Sequence, residues 1–273
     1  MASRPALRVT RGAGVTLAAE VALDPWLDQH LPAELARCQA AAIAWLRDAG
    51  VPCRPPAPLL CVLAAGPEPG PELRAAVAAH VATLAAAPFQ FALGPERDPV
   101  ATLWRAREQV ARHVVTDLAG IESEEPRQRW FVVGLCARLA DAVVAGRAVL
   151  SPERDACLRQ VQQRGDLMAR FHGKGLLQHP EVGPEDWAIG WLLLHFLEFG
   201  QGGRRRSAVP AYAAALAGHT ASHETLADVL AIDDMAEFGQ AWQAHLATCL
   251  TRGPAWLERG GPADPPASRR TRR

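Results

Sequence analysis

The candidate metal ligands include two histidines that each stand four residues before a second side chain able to bind a metal. His113 precedes Asp117, and His219 precedes His223. Residues i and i+4 lie on one face of a helix, so each pair could contribute two ligands to a metal site. For His113 and Asp117, the alternative is an ordinary hydrogen bond on a helix surface. For the second pair, Ser222 is expected to cap a helix, which would leave His219 outside that helix.

Two predicted helices carry a motif frame around His113. The first contains Gln109-Val110-Ala111-Arg112-His113, and the second contains Trp130-x-x-Val133-Gly134-x-x-Ala137. The pair resembles the active-site helices of gluzincin metallopeptidases, most closely the peptidase-MA-like branch. There the first helix carries His-Glu-x-x-His and the second carries Trp-x-x-Glu-Gly-x-Ala. In that family the histidines and the distal glutamate bind Zn²⁺, and the other glutamate is the general base for the zinc-bound water.

Aligned with that pattern, this chain keeps the spacing of the frame but lacks most of the residues that would bind zinc or act as a base. Gln109 occupies the first histidine position, Val110 the catalytic glutamate and Val133 the distal glutamate. Only His113 matches, and one neutral imidazole is too few donors to hold zinc, while valine cannot deprotonate water. The resemblance therefore implies a degenerate site with no metal or cofactor. Zinc would be bound only under an alternative interpretation, in which the chain is a hydrolase with a rebuilt site around Gln109, His113 and Asp117.

Packing offers a reason for the loss at position 133. The second helix is apolar on almost every side, so we expect it to be buried. A carboxylate in such a place costs free energy unless a metal or cation pairs with it. Val133 would remove that cost in a domain that no longer binds zinc.

The resemblance extends over residues 7–250. Segments 187–199, 208–217 and 224–246 are similar to the helical C-terminal region of that family, including a final Trp-x-x-His-Leu motif at Trp242 to Leu246. The strand–helix–strand pattern near the N-terminus is similar to the family's small β subdomain. The implied fold is a small β/α part followed by a zincin-like helical domain.

Hydrophobic periodicity independently predicts an α+β protein that is predominantly helical. Strands are predicted within Leu7–Val21 and at 59–65, and residues 88–100 are predicted to be irregular. The predicted helices cover 31–49, 72–87, 101–119, 127–146, 152–171, 184–200, 207–218, 221–231 and 234–250. The expected domains are an α/β subdomain at 1–97, a helical domain at 98–258 and a disordered basic tail at 259–273.

Cysteines and the remaining histidines give no recognisable metal motif. The six cysteines are scattered without a Cys-x-x-Cys pair, which indicates reduced, buried thiols. His195 and His245 are isolated in the sequence. His195 lies in an apolar segment and is interpreted as a core histidine.

Composition limits the classes of partner. The chain of 273 residues has a net charge of zero, and its single lysine among 29 basic residues indicates a bacterial coding bias. A surface that neutralises nucleic-acid phosphate would be more basic, so nucleic acid is not the expected partner. The sequence contains no recognisable signal peptide and no apolar segment of 18 residues, so the expected location is the cytoplasm, without a membrane partner.

Together these observations predict a non-catalytic metallopeptidase homologue that acts as a binding or scaffold module for a protein or peptide. The alternatives are an active metal-dependent hydrolase around His113 and an unrelated helical interaction protein. The partner and the oligomeric state are left open.

Overall fold

Short apolar runs near the N-terminus pair into one four-stranded sheet in the computed structural model of the chain. Its strands, in spatial order, are β1 (Arg8–Gly12), β2 (Val15–Ala19), β3 (Leu59–Leu63) and β4 (Phe89–Leu93). β1 is antiparallel to β2, whereas β2, β3 and β4 are mutually parallel. The structure describes residues 8–12, 14–65, 69–84, 87–121, 126–154, 156, 186–219 and 235–252.

The described residues contain seven α-helices, and about 60% of the structure is helical. They are α1 (Pro25–Asp48), α2 (Pro71–Val81), α3 (Pro99–His113), α4 (Pro126–Ala140), α5 (Asp186–Phe199), α6 (Ala208–Ala217) and α7 (Met235–Arg252). A π-helical turn, Val114–Leu118, continues α3. A mixed α/β fold that is mostly helical, with a small N-terminal sheet, is therefore confirmed. The zincin-like character of the helical part stays a prediction.

The two faces of the sheet are set by the alternation of side chains along β3, which is buried throughout. Leu60 and Val62 form a cluster with Leu73 and Val77 of α2. On the opposite face, Phe89 of β4 stacks on a side chain of α3. The sheet is thus covered on both faces at β3, which explains why the sequence of β3 is apolar throughout.

The start of α3 follows from its sequence. Asp98 accepts a hydrogen bond from the backbone N–H of Val100, and Pro99 occupies the first helical turn. This is the expected N-terminal arrangement, because proline lacks the N–H that would need a partner there. The helix start predicted from Asp98-Pro99 is confirmed, and it fixes the register that places His113 at the end of α3.

Two local predictions were wrong. Residues 88–100 were expected to be irregular, yet they contain β4, whose Phe-Gln-Phe-Ala-Leu sequence alternates between faces at the sheet edge. The helix predicted over 127–146 ends at Ala140, and residues 142–149 form a hairpin of β5 (Ala142–Val144) and β6 (Arg147–Val149). The turn residues Ala145 and Gly146 both have positive φ, which is the geometry of a two-residue hairpin turn.

The chain forms two compact units that interleave along the sequence. The first contains residues 1–47, 52–120 and 139–152, and the second contains 48–51, 121–138 and 153–273. The predicted domain boundary at residue 97 divides the chain into consecutive segments, and it stays a prediction. The tail predicted at 259–273 lies outside the described residues.

Among the described residues, no helix combines the length and the apolar character that crossing a bilayer would need.

Candidate functional site

His113 is buried at the end of α3, with only 7% of its surface exposed. Its Nδ1 lies 2.7 Å from Oδ2 of Asp117, a carboxylate that accepts the hydrogen bond. The ring stacks on Phe89 with the centroids 3.8 Å apart and the planes 6° from parallel. Its Nε2 is buried and has no hydrogen-bond partner among the described residues. The i, i+4 pairing predicted from the sequence therefore exists as a hydrogen bond.

The two positions that precede His113 in the motif carry no group suited to zinc hydrolysis. Val110, at the position that the resemblance assigns to the general base, is fully buried with 0% of its surface exposed and is part of the core. Gln109 is half-buried, and its Nε2 donates to Oε2 of Glu108 at 3.3 Å. Within the described part of the chain, no third histidine, cysteine or carboxylate joins His113 and Asp117 in a metal-ligand group.

The second half of the motif frame lies on α4, where packing explains its residue types. A Cβ atom on Gly134 would lie 2.6 Å from the carbonyl carbon of Gly190, so α4 and α5 cross at a pair of glycines. Trp130 is buried and stacks against Tyr212 of α6. Val133 is half-buried, so the expectation that this helix is buried on every side is wrong at that position.

The four motif positions are divided between the compact units. Gln109, Val110 and His113 belong to the first unit, and Val133 belongs to the second. The shared site that the gluzincin resemblance implies therefore stays a prediction.

The second histidine pair is only partly described. His219 is exposed and follows α6 with a φ of 53°. His219 thus lies outside a helix, as expected from the prediction that Ser222 caps the next helix. His223 lies outside the described residues.

A third cluster of possible metal ligands was not recognised from the sequence. His195 of α5 and His245 and Cys249 of α7 offer three ligand atoms that all lie within 4.8 Å of one another. Burial lowers the pKa of His245 to about 4 and raises the pKa of the Cys249 thiol to about 12. The imidazole is therefore neutral and the thiol protonated at neutral pH. The available signal was the i, i+4 spacing of His245 and Cys249, which places both on one face of α7.

An apolar groove of about 470 Å³ lies beside the edge strand β4 in the first unit. Its walls are Val62 of β3, Gln90 of β4 and the side of α2 that carries Val77 and Val81. Arg74 adds one cationic group to the lining. Among the described strands, β4 pairs with β3 alone, so its other edge carries no strand there.

Compared with protein-family models, with curated proteins and with solved structures, the chain gives no match. The resemblance to gluzincins therefore rests on the motif frame and the helical pattern, and it stays a prediction.

Proposed function

We propose that this chain is a non-catalytic module that binds an extended segment of a protein partner along β4. We further propose that its motif frame derives from a gluzincin-type domain that lost its zinc ligands. The observation that carries the binding role is the edge of β4 beside the apolar groove.

The backbone of β4 supports binding by strand addition. The N–H of Phe89 donates to the carbonyl of Pro58, and the carbonyl of Leu93 accepts from the N–H of Ala64. In a parallel strand, the N–H and C=O groups of alternate residues point to the same side. Gln90 and Ala92 therefore direct their backbone groups away from β3, where an added strand would pair with them.

The groove supplies selectivity for side chains. Side chains of an added strand alternate between the two faces of the sheet, so every second one would meet the groove. Val77 and Val81 favour apolar side chains there, and Arg74 favours an acidic group nearby. The proposed ligand is an extended peptide with apolar residues at alternate positions and an acidic residue beside them.

The absence of catalysis is supported by the side chains on α3. A buried valine stands at the position of the general base, and an amide that bonds to Glu108 stands at the first ligand position. Neither can deprotonate water or bind zinc tightly.

One observation favours the hydrolase alternative. The buried Nε2 of His113 has no hydrogen-bond partner in the described residues, while Nδ1 is oriented by Asp117. A histidine oriented in this way by a carboxylate is the arrangement of a general base.

Selection of peptides tests the binding role. Peptides from a random library would be selected against the full chain, and their affinities measured for Ala92→Pro and Ala92→Ser. Proline removes the outward N–H without breaking the bonds to β3, so we expect about tenfold weaker binding from one or two lost hydrogen bonds and a steric clash. Ala92→Ser keeps the N–H and should bind like the wild type. Equal affinity of the proline variant, or no selected peptides, would contradict the proposal.

Hydrolysis assays separate the two functions. The wild type and His113→Ala would be incubated with denatured casein in the presence of Zn²⁺. We expect no cleavage by either protein. Cleavage by the wild type that His113→Ala abolishes would instead establish the hydrolase.

A further inference from the structure

We propose that His195, His245 and Cys249 form a binding site for a divalent transition metal of the zinc class. This site is separate from the motif around His113 and is independent of the proposed peptide binding. It lies wholly within the second compact unit, between helices α5 and α7.

Helix geometry brings the three donors together. His245 and Cys249 are four residues apart on α7, so their side chains project from the same face one turn apart. That face packs on α5, where His195 approaches His245 with Nδ1 only 3.1 Å from Nε2. Two ligands from one helix and one from its neighbour are the usual way a helical bundle builds a metal centre.

The spacing of the donor atoms fits zinc after small adjustments. Zinc bonds of about 2.0–2.3 Å place neighbouring ligands about 3.3–3.8 Å apart in a tetrahedron. The three donors here are mutually within 4.8 Å, and the two imidazole nitrogens are 3.1 Å apart. We expect rotation about side-chain bonds to close the site without movement of either helix.

The surroundings restrict the rings and shield two of the three ligands from water. The ring centroid of His195 lies 5.5 Å from that of Trp191 and 4.8 Å from that of Phe199. Phe196 packs at 5.3 Å from His245. His195 is 1% exposed and Cys249 is 0% exposed, whereas His245 is half-buried. A hydrophobic shell of this kind strengthens metal–ligand bonds, and the open side at His245 leaves a fourth position for water.

Donor chemistry selects the class of metal. Two imidazoles and one thiol suit zinc and its neighbours, whereas Mg²⁺ and Ca²⁺ require oxygen ligands. When the site fills, a metal–sulfur bond replaces the S–H bond of Cys249, and the released proton passes to water. The proton shared between Nδ1 of His195 and Nε2 of His245 moves to the other nitrogen of its own ring, so that both nitrogens can bind the metal. No oxidation or reduction is involved.

Metal titration of the full chain tests the site. Protein treated with a chelator and then freed of it would be titrated with Zn²⁺ by calorimetry and with Co²⁺ by absorption. We expect one equivalent of either ion to bind, and a thiolate-to-cobalt charge-transfer band to accompany tetrahedral d–d bands. Cys249→Ser and His245→Gln should weaken Zn²⁺ binding by at least about tenfold, and the first should also remove the charge-transfer band.

Matched variants control for general damage. Cys136→Ser alters another buried thiol of the same unit, and His219→Gln alters an exposed histidine. Both should bind Zn²⁺ as the wild type does. The proposal fails if the wild type binds less than one equivalent, if Co²⁺ gives no thiolate band, or if Cys136→Ser loses as much affinity as Cys249→Ser. The band is read on the wild type, so its absence would overturn the proposal even if a variant does not fold.

Discussion

The ion pair of Arg107 and Glu34 is deeply buried. Nη1 of Arg107 donates to Oε2 of Glu34 at 3.1 Å, and Nε donates to the carbonyl of Ala140 at 2.7 Å. Only 6% and 4% of the two side chains are exposed. One guanidinium thereby links α1, α3 and the end of α4, and it satisfies groups that would otherwise be buried without partners.

Loss of Arg107 should therefore destabilise the protein strongly. Arg107→Met removes the buried guanidinium partner of Glu34 and leaves the mostly exposed Arg37 as its remaining cation among the described residues, so we expect about 3 kcal/mol less unfolding free energy, the low end for breaking a buried pair. Urea denaturation followed by circular dichroism measures this change. The matched control is Arg105→Met, which removes an ion pair with Glu96 whose side chains are 38% and 39% exposed and should cost less than about 1 kcal/mol. Equal losses in the two variants would show that burial does not set the strength of the Arg107 pair.

Residue-level prediction succeeded where partners are close in sequence. The contact between His113 and Asp117 follows from their i, i+4 spacing on one helix, and the structure forms it. The contact between His195 and His245 spans 50 residues. It depends on how α5 and α7 pack, and no periodicity within either segment specifies that packing. Spacing could therefore have indicated two of the three ligands, His245 and Cys249, but not the third.

At the scale of elements, the crossing of α4 and α5 depends on glycine. Gly134 and Gly190 let the two backbones approach more closely than any side chain would allow. Gly134 belongs to the motif frame on which the predicted resemblance to gluzincins rests, and in this chain a packing role accounts for the glycine without any chemistry. The same crossing places α5, and with it His195, within the second unit.

Gly134→Ala should disrupt this crossing. The added Cβ would lie 2.6 Å from the backbone of Gly190, which cannot move aside as a flexible side chain could. We expect a loss of about 1–3 kcal/mol, the usual cost of overpacking. Thermal unfolding of the full chain would report it. Gly94→Ala is the control, because nothing lies within 4 Å of its Cβ position. A stable Gly134→Ala variant would mean that the helices can separate at little cost.

Helices and strands could be predicted where several local sequence signals agreed. The predictions were wrong where pairing with another strand determined the structure. The apolar run of β3 and the capped start of α3 match their predictions. The segment after Ala140 was assigned to a helix because its residues are apolar. Its Val143-Val144 and Ala145-Gly146 pairs instead favour strand and turn, and pairing with β6 settles the outcome. The sheet edge at β4 was missed because only its pairing with β3 makes that short alternation a strand.

At the scale of the whole molecule, each compact unit is assembled from three separate stretches of sequence. The sheet belongs with residues 98–120 and 139–152 as well as with the N-terminal segment. Two features show why. Phe89 of β4 packs on His113, and Glu34 of α1 pairs with Arg107. A boundary drawn along the sequence at residue 97 would separate both pairs.

A fragment of residues 1–97 should therefore fail to fold cooperatively, whereas a fragment of residues 1–152 should fold. The shorter one would leave Glu34 without Arg107 and with Arg37 as its cation, which alone removes about 3 kcal/mol from a total that is typically about 5–15 kcal/mol. It would also expose the face of β4 that carries Phe89 and Phe91, and an uncovered apolar edge strand promotes aggregation. Urea titration with near-ultraviolet circular dichroism would show a sigmoidal transition only for 1–152. A cooperative transition for 1–97 would mean that the sheet and α1 are stable without α3, and that the predicted boundary separates an autonomous domain after all.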